Sequence, residues 1–439
     1  MQKMTQGSIT RHLLRYAVPL VLGNFFQLAY NAVDSIVVSK VAGEQALAAV
    51  SAANPVMTIV ILGVSGLSIG ASVLMSRFYG AGDEEKLRRE LATTLLFGAA
   101  ASAAFFLIGL LFAPQMLALM NVPEDILPIA QTYLRIIFVG FLFTFQYNIL
   151  AAALRSVSNA AAPVRFLAAA SVLNALLDVV FVVWLGWGAA GAGVATVIAQ
   201  AVSALLCALY ILRRVPLLRI PVHALCVDRE LLRMTLESGC ITALQQACQP
   251  VGKAMIQSVI NAQGVSVIAA FNAVSRIDDF ACIPEQSISS AMMTCIAQNR
   301  GAGKAERVRE TLRRGMAMEI VYGVCIGMLV FLSKTPIMRL FAAQDSAAML
   351  QMGVSYLSVM AFFYVLPGLT NGIQGYFRGM GEMKTTLVAT FIQISIRTLV
   401  VYAIVPRVGI TGAAYACAIG WMCMLVFTTI RYVQIQKRR

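Results

Sequence analysis

The sequence predicts an all-α integral membrane protein with twelve transmembrane helices in two pseudo-symmetric six-helix lobes. Three observations carry this expectation: the composition, the length of the apolar runs, and an internal repeat. Of 439 residues, 59% are hydrophobic and 12% charged, and the mean hydropathy is +0.79. A soluble globular chain carries roughly 25% charged residues. The apolar residues fall in runs near the ~20 residues that cross a bilayer core as a helix, without the alternation of half-buried strands.

Taken in order, the runs place helices at about 16–39, 51–76, 91–113, 128–153, 162–186, 189–212, 234–259, 266–296, 313–333, 349–375, 384–405 and 410–431. The first is too long for the apolar part of a signal peptide, carries Asp34, and meets no small-residue cleavage site before Lys40. It reads as a retained span. With twelve spans, both termini and the even-numbered loops share one side of the membrane. That side holds about 26 of the 34 Lys and Arg, including Lys86, Arg88, Arg89, Arg213, Arg214, Arg307, Arg309, Arg313 and Arg314, whereas the odd loops hold only Lys40, Lys334, Arg339 and Arg407. By the positive-inside rule both termini are expected in the cytoplasm. No sequence signal argues for an organelle, so a cell (plasma) membrane is expected. The net charge of +14 then belongs to loops that face anionic lipid headgroups, not to a nucleic-acid surface.

Sliding the chain by 221 to 223 residues superposes its halves. Ala48-Ala49 with Asn54 falls on Ala269-Ala270 with Ser275, and Gly80-Ala81-Gly82 on Gly301-Ala302-Gly303. Tyr133-Leu134 falls on Tyr356-Leu357, Asn148 through Arg155 on Asn371 through Arg378, and Gly188 with Gly191 on Gly409 with Gly412. Six spans per copy is an even number, so the copies insert in the same orientation, related by an axis along the membrane normal. The expected organisation is an N-terminal lobe over 1–212, a cytoplasmic linker over 213–233 rich in Arg and Pro, and a C-terminal lobe over 234–439.

Enzymatic chemistry lacks its parts. His12 and His223 are the two histidines, and no His-Glu-x-x-His or Gly-x-x-x-x-Gly-Lys pattern occurs; the one Gly-x-Ser-x-Gly match, Gly66-Leu67-Ser68-Ile69-Gly70, lies within an apolar run and not at a strand-to-helix turn. Nine cysteines without a Cys-x-x-Cys, several of them in apolar runs, behave as small packing residues rather than metal ligands. No metal or cofactor is expected.

Taken together, the repeat, the Gly-Ala-Gly loops after spans 2 and 8, Leu154-Arg155 and Phe377-Arg378-Gly379 after spans 4 and 10, and the run Ala297-Gln298-Asn299-Arg300-Gly301-Ala302-Gly303 resemble the multidrug and toxic compound extrusion family. The resemblance covers nearly the whole chain. It implies an ion-coupled antiporter whose lobes form a V-shaped central cleft, open alternately inward and outward, that exports small organic compounds of cationic or amphipathic character. The coupling ion would be H+ or Na+. A monomer is the expected state.

Ionisable groups within the hydrocarbon point to a site independently, because a charged carboxylate there is costly and usually marks an ion or proton path. At about 1.5 Å per residue, Asp34 lies about 27 Å along span 1 and Asp178 about 24 Å along span 5, both counted from the cytoplasmic side. Asn174 precedes Asp178 by one turn, and Gln27, Tyr30, Asn31 and Asp34 make a polar stripe on span 1. Asn54 and Met57 on span 2 complete the candidates for a substrate cavity, with Phe25, Phe26, Phe141, Phe143 and Phe145 as aromatic lining. The DinF-like branch of the family carries an Asp on span 1 and an Asn-x-x-x-Asp on span 5. By that resemblance Asp34 and Asp178 are the coupling carboxylates and Asn174 their polar neighbour, for a proton or, with Asn174 as a neutral ligand, for sodium. The plainer reading is that Asp178 solvates a helix end and Asp34 hydrogen-bonds within its lobe.

The C-terminal half departs from the sodium-coupled NorM branch, which carries acids on spans 7 and 10. Here span 7 shows Gln246, Gln249, Lys253 and Gln257 on one face, and span 10 shows Pro367 and Asn371. A second cation site is therefore not expected in this half. Lys253 reads as a buried cation in a structural pair with Asp278 or Asp279, and Arg397 as a cation with Glu285 as its candidate mate. Two other readings stay open: a flippase for lipid-linked or amphipathic substrates from the same superfamily, and an intramembrane aspartyl enzyme, for which the two-lobe repeat offers no reason.

Overall fold

In a computed structural model the protein is described over residues 3–37, 43–120, 122–221, 225–341 and 347–437, with the backbone alone described at 29–37. Thirteen α-helices follow in order among the described residues: α1 (Ile9–Val37), α2 (Gly43–Ala81), α3 (Glu84–Leu119), α4 (Leu127–Ser156), α5 (Ala161–Asp178), α6 (Gly188–Arg214), α7 (Arg229–Asn261), α8 (Val265–Gly301), α9 (Ala305–Arg339), α10 (Ala347–Met360), α11 (Val365–Gly379), α12 (Met383–Val408) and α13 (Thr411–Lys437). Eight helical spans, one of them α5 with its continuation to Trp184, are long and apolar enough to cross a bilayer, and the bent pair α10–α11 makes a ninth. α1, α7 and α8 match them in length and complete twelve spans. α7 and α8 read as less apolar because they carry Gln246, Lys253, Arg276, Asp278, Asp279 and Glu285 along their lengths.

The repeat is built into the backbone. Left-handed φ angles recur 221 residues apart at Gly43 and Gly264, Gly82 and Gly303, and Gly188 and Gly409, and 223 apart at Ser158 and Gly381. Each pair ends one span or starts the next at the same place in its half. The turn at Gly82 also shows how charge sets a helix start: Asp83 accepts the Lys86 amide at 3.0 Å, and Glu84 and Glu85 occupy the positive end of α3.

The chain divides into two compact units. Unit 1 holds Met1–Lys3 and Val18–Ala243, and unit 2 holds Met4–Ala17 and Leu244–Arg439, so the division runs through α1 and α7. In unit 1, α4 is central and packs on α2, α3 and α6. Its buried Leu134, Phe138, Phe141, Phe145 and Ile149 form the middle of the core. Their rings seat on glycines of α3. A Cβ at Gly98 would lie 2.3 Å from the Phe145 ring, and one at Gly109 would lie 2.1 Å from that of Phe138. α2 and the first half of α7 approach closely through Gly66 and Gly70 on one side and Gly239 and Ala243 on the other; a Cβ at Gly66 would meet the Ala243 amide nitrogen at 2.4 Å. Small residues four apart let helix backbones touch where lipid gives no hydrophobic drive for association.

In unit 2, α11 packs on α8 and α9. The tenth apolar run, expected as one helix over 349–375, is broken, with a 54° bend between α10 and α11. Pro367 is the reason: it has no N–H for the Phe363 carbonyl and its ring crowds the turn before it. The carbonyls loosened there find room on α9, where a Cβ at Gly327 would lie 2.3 Å from the Ala361 oxygen and one at Gly323 would lie 3.0 Å from the Tyr364 oxygen.

Candidate functional site

Asn174 and Asp178 stand one turn apart on the same face of α5, and unit 1 buries them to 1% and 0% exposure. This is an uncommon setting for a carboxylate, since burial of an unsolvated charge is costly. It also tells against Asp178 as a solvated helix end, because its backbone is helical on both sides. Directly after Asp178 the helix widens into a π segment, Val179–Trp184. The wide turn is closed by Leu185 N donating to Val180 O at 3.0 Å and by stacking of Phe181 on Trp187 at 5.2 Å. π segments are rare and concentrate at functional sites. Sequence reasoning located the two polar residues but had no signal for the π turn within an apolar run.

Asp34, Tyr30 and Asn31 lie on the backbone of α1, and their side chains are outside the described residues. The register of α1 is nonetheless fixed lower down, where a Cβ at Gly23 would lie 2.9 Å from Val164 Cγ1 on α5. Asp34 follows Gly23 by eleven residues, and Asn174 and Asp178 follow Val164 by ten and fourteen. At about 1.5 Å per residue these positions fall about 15–21 Å beyond the contact, at neighbouring levels of two odd-numbered spans. Gln27 and Asn54 are exposed on the unit, and Met57 is half-buried against the core around α4.

In unit 2 the structure pairs Lys253 with Asp279 at 2.7 Å, and both side chains are about 60% exposed, so Lys253 is not the buried cation expected from the sequence. Its face of α7 points out of the unit. Asp278 turns the other way and accepts hydrogen bonds from Tyr356 Oη at 2.9 Å and Tyr364 Oη at 2.6 Å. Arg397 is 8% exposed, and among the described residues it makes no ion pair with Glu285.

The family-like motifs have structural work in unit 2. Gln298 accepts from Met4 N at 3.1 Å, Asn299 Nδ2 donates to Met4 O at 3.3 Å, Arg307 Nη2 donates to Met4 O and Gly7 O, and Lys304 Nζ donates to Thr5 O at 2.9 Å. The Ala297–Gly303 run therefore grips the segment leading into α1. Arg378 Nη2 donates to Gln245 Oε1 and Gln374 Oε1, and Gln245 Nε2 donates in turn to Gln374 Oε1 and Thr390 Oγ1. A conventional polar network thus surrounds an arginine inside the bundle.

The sequence profile of MatE matches residues 19–180 and again 242–403. The chain belongs to the MatE family. The two matches begin 223 residues apart, the same period as the repeat. Among curated relatives, the probable multidrug resistance protein YpnP of Bacillus subtilis is 29% identical over 88% of this chain and 86% of that protein. The FAD transporter of Shewanella oneidensis is 24% identical over 88% and 86%. Among solved structures, the outward-facing conformation of a multidrug resistance MATE family transporter superposes with a TM-score of 0.90 at 23% identity, covering 99% of this chain and 98% of that one.

This MatE chain also buries acids that the sequence reading did not place in a site. Glu319, inside the ninth apolar run, is 0% exposed on α9, and Glu285 is 0% exposed on α8. The rule that singles out Asp34 and Asp178 would have found Glu319; the comparison with branches that carry acids on spans 7 and 10 directs attention elsewhere. Glu90 is likewise buried, near the start of α3, and accepts from Thr235 Oγ1 at 2.5 Å and Thr94 Oγ1 at 3.1 Å. It ties α7 to α3 within unit 1.

Proposed function

We propose that this MatE protein is a secondary antiporter that exports small organic compounds, using Asp178, Asn174 and Asp34 to exchange the coupling ion by alternating access. The observation that carries the reading is the burial of an Asn174–Asp178 pair at the head of a π segment, inside an otherwise apolar helix. A carboxylate held in an apolar span is what an ion path requires. The level of Asp34 on the neighbouring α1, and the match of these three residues to the DinF-like pattern, support the same site. Gln27, Tyr30, Asn31, Asn54 and Met57 are the candidates for contact with cargo. The names of YpnP and of the superposed transporter favour drug-like cargo, and an acidic lobe favours cations or amphipathic molecules; the FAD transporter shows that a relative of similar coverage carries a nucleotide cofactor. We place the protein in the plasma membrane as a monomer surrounded by lipid, with both termini in the cytoplasm.

The test is efflux of a fluorescent organic cation from proteoliposomes under an imposed proton gradient or an imposed sodium gradient. Efflux driven by one of them supports the antiporter and identifies its ion. Absence of efflux under both, for organic cations and for flavin nucleotides alike, would reject it and favour a flippase.

A further inference from the structure

Unit 2 buries two carboxyl groups that the site above does not use. Glu285 lies sixteen residues before the end of α8 at Gly301, and Glu319 lies fourteen residues after the start of α9 at Ala305. At about 1.5 Å per residue both stand about 21–24 Å from the turn joining the two helices, at one level of the hairpin. α11 shapes itself around them. A Cβ at Gly368 would lie 3.3 Å from Glu319 Oε2, and a Cβ at Gly372 would lie 3.3 Å from Glu319 Cγ. Asn371 is the polar neighbour of Glu285. Neither oxygen of Glu319 has a hydrogen-bond partner among the described residues, and those of Glu285 meet none of good geometry. The ionisable groups around them are Asp278 and Cys282 on α8, Tyr322 on α9 and Tyr364 at the head of α11; among the described residues no lysine or arginine acts on either carboxyl. No third acid joins them in a metal-binding group among the described residues.

The fold does not need acids here, and the other half of the molecule is the control. By the repeat, Glu285 corresponds to Val64, Glu319 to Gly98 and Gly368 to Phe145. Unit 1 fills this place with the Phe145 ring resting on Gly98. Unit 2 exchanges the small and large partners and puts a carboxyl where unit 1 has a ring. Two carboxyls without a cation, in a place the fold can pack with hydrocarbon, call for a role that hydrocarbon lacks.

We propose that Glu285 and Glu319 form a second proton-exchange site, which takes up a proton from water in one conformation and returns it to water in the other. The transport part of this rests on the antiporter reading; the binding of the proton does not. No covalent bond other than O–H forms or breaks, and Asn371 is the neutral polar group beside Glu285.

Infrared spectroscopy of the full-length protein in proteoliposomes reads the proton directly, through the C=O stretch of protonated carboxyl groups. Glu285→Gln and Glu319→Gln are each expected to remove part of that band and its change across a pH jump, and to lower the number of protons exchanged per cargo. The double variant Glu319→Gly/Gly368→Phe transplants the packing of unit 1, which guards against loss through misfolding, and should behave alike. If wild type exports nothing under a pH gradient, the antiporter reading fails while the infrared result still decides the site. Wild-type bands and proton counts in the folded variants would overturn the proposal.

Discussion

Asp178 and Asn174 occupy the one kind of position where a polar side chain has no structural excuse in sequence: an apolar helix deep in the bundle. Their burial at 0% and 1% makes the substitution Asp178→Asn nearly isosteric, so packing is kept while the ionisable group is removed. Gradient-driven efflux should be lost while the melting temperature stays within a few degrees, read by transport and by thermal unfolding of the same preparation. Asn174→Ala removes a fully buried side chain and leaves a cavity beside Asp178, and should cost about 1–3 kcal/mol in stability as well as activity. Both residues were legible in the sequence because a single acid interrupts an apolar run. The setting was not: nothing in Val179–Trp184 distinguishes a π turn from an α turn, since it arises from packing around Phe181 and Trp187 rather than from local preference. Lys253 shows the opposite error. Its place in an apolar run implies burial, yet helix rotation turns that face of α7 outward to Asp279.

Among helices, glycines decide which surfaces meet. Gly66 opposes the backbone of Ala243, so Gly66→Ala cannot be relieved by a side-chain rotation and must separate α2 from α7. It should destabilise unit 1 by about 1–3 kcal/mol or more, seen as a lowered melting temperature. Gly98→Ala meets a ring that can shift and should cost less. These contacts follow from spacing that the sequence displays, Gly66 with Gly70 and Gly239 with Ala243, but pairing them requires knowing which helices are neighbours. The bend at 361–364 is similar. Pro367 was visible as a helix breaker, whereas the glycines on α9 that receive the loosened carbonyls were identifiable only once α9 and α11 were adjacent.

For the whole molecule, the repeat was the strongest signal in the sequence, since apolar runs, positive-φ turns and the family match all recur with one period. The acids at Glu285 and Glu319 are visible as differences between the copies, but that Glu319 and Gly368 exchange the places of Gly98 and Phe145 could be read only once α9 and α11 were adjacent. Orientation can be checked by cysteine labelling. In a variant retaining Cys226 alone, an impermeant maleimide should react only after the cytoplasmic side is opened, whereas a cysteine at Ala262→Cys should react in intact cells; the reverse pattern would invert the topology. The central claim, that a buried carboxylate on α5 couples an ion gradient to export, is tested most directly by gradient-driven efflux from proteoliposomes containing wild type or Asp178→Asn at equal protein content. The account predicts efflux for wild type and only the no-gradient rate for the variant. Equal efflux from both would contradict it.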